Sequence, residues 1–491
     1  MKAFIDIIKQ TRPGALLFFS GYALYLVFTY MVFHSATALS VVGDFDFGTQ
    51  TMFTISVVST RVVVFAVVIG IQRFLLKVST SVLAAVSGAA ALMGFLVTGM
   101  ILQFSGSLSA EMFLPWLMVG GVFLGFGDTS ITLLWARFSS TLTLRTVYLY
   151  VVSCNALSLI IYFIVTLLPG KFSLLIAAFL FLVSIIFVKK ALDIRGLREW
   201  EYSRPVFQSA FRSLCQPILG TVILFFMAGL MLQISGQQEV PLSNFQQTSL
   251  LTSAVVVLFL FLPALLLKKP FNVGRMYAVA LPLSAAGFLL LPLMWNAVGG
   301  IVNSFAQLGA MVASLILWCM LADKSYDTKL PPNLLFAIAL VCTEASFLAG
   351  TVVGHLNADT LKHGDIVLTA VALVAAYLLF MVALFLFKDK SLERVNTETY
   401  TETQAQAIRP GEFFFKRCGE IAAAHQFTPR EGEIFILLAQ GYTVPAISEK
   451  LYVSENTVKS HVKSIYMKLD IHARAELIKL VGIGSNLSER T

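Results

Sequence analysis

From Leu16 to about Phe387, long apolar runs alternate with short polar breaks. A helix needs ~20 apolar residues to cross ~30 Å of hydrocarbon. Runs of that length fall at 16–39, 52–71, 82–103, 112–135, 147–168, 172–188, 217–235, 248–267, 276–295, 299–321, 332–354 and 366–387, which predicts twelve spans. They are predicted as helices, because only a helix or a closed barrel satisfies its own backbone polar groups in lipid. Beyond Phe387 the pattern stops. Residues 388–412 are polar, rich in Thr, Glu and Gln, and end on Arg409-Pro410-Gly411, which predicts a linker. A flexible chain of that length spans ~25–30 Å on average. Residues 413–423 (FFFKRCGEIAA) turn apolar again and predict a lead-in helix.

From residue 427 a shorter, amphipathic period takes over, with four predicted helices at about 429–439, 444–451, 455–468 and 472–482. Thr428-Pro429 gives the first an N-cap with proline at its first position, and Glu431 completes a capping box. Gly441 ends it. The turn Tyr452-Val453-Ser454 precedes the third helix and supplies Ser454 as its N-cap. Val458, Val462, Ile465 and Leu469 form the inner stripe of that helix, and Lys459, Ser460, Lys463 and Lys468 lie off it. The chain is therefore predicted all-α: a transmembrane bundle at 1–387, a linker at 388–424 and a small helical domain at 425–491.

Composition sharpens this picture. Apolar residues make up 57% of the chain and charged residues 13%, with 41 Phe. A water-soluble fold carries roughly twice that charge. With the N-terminus inside, eighteen Lys and Arg fall in inside segments, among them Arg73, Arg137, Lys189, Lys190, Arg195 and Arg204; outside loops hold only Lys171 and Lys362. That bias places both termini on the cytoplasmic side. Cys154, Cys215, Cys319, Cys342 and Cys418 form no C-x-x-C pair, which argues against a metal site or a disulfide framework. No P-loop, HExxH or nucleophile elbow is present, so neither catalysis nor a cofactor is expected.

Two short helices joined by a tight turn, the second with a basic face, are what a helix-turn-helix requires. The second must enter the major groove, where base edges are distinguishable. Thr428-Pro429-Arg430-Glu431, Leu438-Ala439-Gln440-Gly441, Val453-Ser454, Thr457-Val458-Lys459-Ser460-His461, Lys468-Leu469 and Arg474-Ala475-Glu476-Leu477 together resemble the LuxR/FixJ type of DNA-binding domain. The resemblance implies double-stranded DNA as a partner, with Lys459, Ser460 and Lys463 facing the groove. It puts Thr457, Lys468 and Arg474 near the DNA backbone or in the scaffold, and the 472–482 helix in a homodimer contact. The second helix departs from the family at Thr443-Val444-Pro445-Ala446, where a phosphate contact is altered.

The inside loop at about 189–216 divides the spans into two sets of six. This layout resembles the major facilitator superfamily. Its acidic-and-basic, Gly-rich loop motif is absent at Gly70–Lys77, which argues against active transport. Arg61, Asp128 and Glu344 lie inside predicted spans. Ionisable groups there are functional candidates, because burying one costs ~2.5–3.5 kcal/mol on insertion scales. They are expected either to line a pocket for a small-molecule ligand or to form ion pairs that hold the bundle together. The whole predicts a transcription regulator of the bacterial cytoplasmic membrane, in which a lipid-embedded sensor bundle controls DNA binding. The alternative is a transporter with a regulatory DNA-binding appendage.

Overall fold

A computed structural model describes residues 18–34, 47–75, 78–104, 110–168, 172–196, 200–236, 301–357, 366–388, 421–451 and 453–471, with isolated positions at 254, 285, 289, 418–419, 473 and 476–477. The chain divides into two compact units, Met1–Glu393 and Arg394–Thr491. No strand occurs among the described residues. The predicted spans at 248–267 and 276–295 lie outside them but for three isolated positions, as do most of the linker and most of the predicted helix at 472–482.

The first unit is a helical bundle. Its described helices are α1 (Gly21–Thr29, continued by a π turn at Tyr30–His34), α2 (Phe47–Leu75), α3 (Thr80–Phe104), α4 (Ala110–Ser139), α5 (Leu144–Thr166), α6 (Ser173–Arg195), α7 (Arg204–Gly236), α8 (Ile301–Thr328), α9 (Pro332–Leu356) and α10 (Ile366–Lys388). Seven of them, α2 to α7 and α9, are long and apolar enough to cross a bilayer. Their outward faces carry large apolar side chains such as Phe74, Leu175, Phe179 and Phe163, all exposed. Water does not tolerate so continuous an apolar surface, and lipid does. This is a multi-pass membrane protein.

The apolar runs underestimate helix length around the central loop. Helix α6 runs on to Arg195 and α7 starts at Arg204, thirteen residues before the predicted Pro217. Hydropathy reports only the part of a helix that meets hydrocarbon, whereas backbone hydrogen bonding carries the helix past that limit. Pro217 sits inside α7 without breaking it. Neighbouring helices make that tolerable in membrane bundles.

With lipid as solvent, helices associate through close packing and interhelical hydrogen bonds rather than apolar burial. Helix α4 meets α3 where Gly127 lies against Ala91, and Ser87 Oγ donates to Gly127 O at 2.8 Å. Trp135 Nε1 of α4 donates to Ser184 Oγ of α6 at 3.1 Å, and Ser184 Oγ donates to Gly21 O of α1 at 2.7 Å. Helices α7 and α9 cross even more tightly. A Cβ at Gly350 would stand 2.1 Å from Phe226 O, a backbone atom that cannot swing away. Gly350→Ala is therefore expected to push α9 off α7 and lower the stability of the bundle by about 1–3 kcal/mol. Thermal unfolding of the purified protein in detergent checks this; an unchanged midpoint would show that the helices separate at no cost.

The second unit has its own core, formed by Ile434, Phe435, Leu438, Ile447, Val458, Ile465, Leu469 and Leu477. Cys418 and Ile421 join it, so the core begins ahead of residue 425. Three helices are described there: α11 (Pro429–Ala439), α12 (Val444–Leu451) and α13 (Glu455–Leu469).

Candidate nucleic-acid interface and buried ion cluster

The predicted caps form as the sequence requires. Thr428 Oγ1 accepts from Glu431 N at 3.3 Å, and Glu431 Oε2 accepts from Thr428 N at 2.7 Å, closing the capping box of α11. Gly441, at φ +100, ends that helix in a conformation that glycine adopts without strain. Ser454 caps α13 by accepting from Thr457 N at 3.2 Å. The predicted end of α13 at 468 moves to Leu469, and Asp470 in the left-handed region closes it.

Helices α12 and α13 share a core through Ile447, Val458 and Ile465, all fully buried. Arg430 Nη2 donates to Leu451 O at 3.1 Å and fastens the end of α12 to α11. Outward on α13 are Glu455, Asn456, Thr457, Lys459, Ser460, Lys463, Met467 and Lys468, all exposed. Among the described residues, the ion pair of Lys459 is with the exposed Glu455 one turn back, at 3.6 Å. Such a surface pair is worth ~0.3–0.5 kcal/mol, too little to hold the ammonium against a better acceptor. Lys459, Ser460 and Lys463 thus share one solvent-facing side of α13. Thr457 lies at its start, with its hydroxyl 2.8 Å from Ser454 Oγ.

Lys468 has a different setting. Its ammonium lies 2.7 Å from Glu431 Oε2 and donates to Gln426 O at 3.1 Å. Ser464 Oγ donates to Glu431 Oε1 at 2.6 Å. A single buried carboxylate therefore joins the start of α11 to the second half of α13. Sequence showed Glu431 only as half of a capping box. Its role across 37 residues carries no local signal, because Lys468 lies on a different helix.

The Lys468 ammonium, then Ser464 and the Thr428 N–H, hold the Glu431 carboxyl down at about 2. The folded value thus lies below the ordinary carboxylate value of 4.5. The stability this contributes is complete above that ordinary value and disappears as pH falls toward 2. Glu431→Ala leaves the ammonium and the hydroxyl without acceptors and opens the capping box. It is expected to cost about 2 kcal/mol at pH 7. Urea unfolding of residues 394–491 from pH 7 to pH 3 measures it: the wild-type stability should fall with pH more steeply than that of Glu431→Gln. Parallel curves would remove the carboxylate from the account.

In the bundle, the structure brings together the three ionisable residues expected from sequence. Arg61 is the central residue of α2 and Glu344 the central residue of α9. Arg61 Nη1 pairs with Asp128 Oδ2 of α4, and Arg61 Nη2 with Glu344 Oε1 at 2.6 Å. Asp128 is fully buried. Its other oxygen accepts from Tyr25 OH of α1 at 2.8 Å, and Tyr25 OH lies 2.8 Å from Thr132 Oγ1. Tyr25 had no distinguishing signal in the sequence, since an aromatic residue in a span is ordinary. Polar contacts elsewhere also tie early helices to late ones. Arg137 Nε of α4 donates to Asn333 Oδ1 of α9 at 3.0 Å, and its Nη2 to Leu75 O of α2 at 3.1 Å. Trp318 Nε1 of α8 donates to Ser139 Oγ at 3.1 Å.

Residues 425–481 match the family described as "Bacterial regulatory proteins, luxR family". The transcriptional regulatory protein DegU of Brevibacillus brevis is 37% identical over 67 residues, covering 14% of this chain and 28% of the relative. The nitrate/nitrite response regulator protein NarL of Escherichia coli K12 is 34% identical over 84 residues, covering 17% of this chain and 37% of the relative. The chain thus spans about a third of the length of these relatives. A bacterial homologue of the iron transporter ferroportin, solved in an outward-facing state, aligns with 77% of this chain and 98% of its own, at TM-score 0.51 and 14% identity. The Major Facilitator Superfamily transporter FucP aligns with 76% of this chain and 97% of its own, at TM-score 0.47 and 14% identity. The C-terminal unit carries a LuxR-type helix-turn-helix, and the bundle ahead of it shares its fold with the bacterial ferroportin homologue.

Proposed function

We propose that this protein is a membrane-embedded transcription regulator whose bundle senses a small molecule or a condition of the membrane and controls DNA binding by the C-terminal domain. The observation that carries this reading is the presence of a LuxR-type domain on the same chain as a multi-pass bundle. Lys459, Ser460 and Lys463 are its base-reading side chains, Thr457 its backbone contact, and Lys468 the residue that holds α13 in place. The helix at 472–482 pairs two copies on neighbouring half-sites. Both termini face the cytoplasm of a bacterial inner membrane, beneath a bundle of twelve spans in two sets of six. Confinement to the membrane plane raises the effective concentration of monomers.

A sensor must have two states that its ligand binds unequally. The cluster at Arg61, Asp128 and Glu344 supports such a device, since it joins early helices to a late one in mid-bundle. The fold likeness to transporters favours one further reading, substrate movement with DNA binding as an appendage. Ion-driven accumulation of a solute in vesicles would support that reading.

The decisive experiment crosslinks the full-length, membrane-bound protein to chromosomal DNA, with the Lys459→Ala/Lys463→Ala variant as control. A few sharp peaks that vanish in the variant are expected. The same profile for both proteins, each correctly inserted, would overturn the assignment.

A further inference from the structure

A protein that reads DNA spends most of its hydrogen bonds on phosphate and sugar, and these fix its register on the duplex. In a helix-turn-helix the first helix of the motif crosses the backbone. Here that helix is α12. Its first turn offers Val444, Pro445 and Ala446, none with a polar side chain, and Pro445 lacks even a backbone N–H. The cationic side chain of α12 is Lys450, in its last turn.

The Lys450 ammonium is held in place. It lies 4.3 Å from the centroid of the Tyr442 ring and donates to Tyr442 OH at 3.2 Å. Both residues are exposed. Tyr442 is itself fixed by the end of α11. Gly441 N donates to Leu438 O and Tyr442 N to Leu437 O, each at 3.1 Å, the two bonds of a helix stop built on a left-handed glycine. Arg430, Lys459 and Lys468 pair with Glu433, Glu455 and Glu431. Among the described residues the partner of Lys450 is instead an aromatic ring and its hydroxyl, neither of which carries a negative charge. A phenol that accepts from an ammonium keeps its own O–H to donate, and the ammonium keeps its remaining N–H groups. Donors alone, carrying a positive charge, suit an oxyanion. Their place suits DNA: Val444, which follows Tyr442 by two residues, borders the same groove as Lys459 and Lys463.

We infer that Lys450 and Tyr442 form a clip for one phosphate of the DNA backbone, beside the base-reading face of α13. This rests on the DNA-binding reading above and adds to it a contact that sets register without reading sequence. The ammonium supplies charge and the hydroxyl supplies direction. Because the ring already holds the ammonium, less side-chain freedom is lost on binding than a free lysine would lose. The clip serves α12 where its own first turn has no polar side chain to give.

Fluorescence anisotropy of labelled duplexes with the full-length protein in lipid nanodiscs, across salt concentrations, tests the clip. One duplex carries a site recovered by chromosomal crosslinking and the other its scrambled sequence. Each neutralised phosphate contributes ~0.9 to the slope of log affinity against log salt. Lys450→Met should therefore flatten the slope by ~0.9 and weaken both duplexes alike, by ~15-fold at ~0.05 M salt and ~5-fold at ~0.15 M. Lys450→Arg should keep the wild-type slope. Tyr442→Phe keeps the ring and loses the hydroxyl, so it should weaken both duplexes at every salt concentration with the slope unchanged. Both side chains are exposed, so none of these variants opens a cavity. An unchanged slope in Lys450→Met would overturn the clip. So would a loss confined to the recovered site, which would make Lys450 a base contact, or a slope lost equally in Lys450→Arg, since charge would then not be the cause. Wild-type affinity in Tyr442→Phe would overturn the pairing of the two residues. Failure of the DNA-binding reading is separate, since the wild type itself would then bind neither duplex.

Discussion

Replacing Lys459 and Lys463 together with alanine is expected to abolish sequence-specific DNA binding while leaving the domain folded. Both side chains are exposed on the outer face of α13, away from the buried Val458, Ile465 and Leu469. Their removal creates no cavity, so the helical circular dichroism and unfolding midpoint should stay near wild type. A good base contact is worth ~1–3 kcal/mol of discrimination. Two lost contacts therefore predict about 2–6 kcal/mol, a drop in affinity of roughly 30-fold to 10⁴-fold. Residues 425–491 hold eight basic against seven acidic residues, so bulk charge contributes little and the loss should fall mainly on specific sites. Titrations against target and scrambled duplexes at two salt concentrations check this. A uniform loss on both duplexes, with a salt slope lower by ~1 per lysine, would make these phosphate contacts instead.

Arg61→Ala is expected to weaken the bundle by about 3–5 kcal/mol, the usual cost of removing one partner from a buried ion pair. Asp128, fully buried, and Glu344 would then each lose the guanidinium that pairs with them. Unfolding in detergent, compared across variants, checks the origin of the loss. An Arg61→Met/Asp128→Asn/Glu344→Gln variant, which removes all three charges, should recover most of the stability. Persistent instability in the neutral variant would point to lost packing around the arginine stem instead. In the membrane, Arg61→Ala should blunt the signal response yet leave the affinity of the C-terminal domain for naked DNA at its wild-type value. A responsive Arg61→Ala protein would confine the cluster to a structural role.

Local pattern was enough for the small domain. Its three described helices begin and end within a residue of the predicted bounds, because caps such as Thr428, Ser454 and Gly441 act on backbone groups a few residues away. The order of Lys459, Ser460 and Lys463 along α13 follows from helical periodicity alone. The bundle was less transparent. Hydropathy located ten of the twelve predicted spans where described helices stand, yet it misjudged where α6 ends and α7 begins, because those ends lie beyond the hydrocarbon and obey backbone hydrogen bonding instead.

By itself, the sequence determined that long helices lie in lipid and that a helix-turn-helix follows them, since both are written in spacings of three, four and twenty residues. Only the tertiary structure decided which charges meet. Arg61 finds Asp128 67 residues away and Glu344 283 residues away, and Glu431 finds Lys468 37 residues away. Periodicity shows which face of a helix avoids its solvent, but not which neighbour that face will find. That choice is made by the close packing of small residues and by the need to neutralise charge wherever water is excluded.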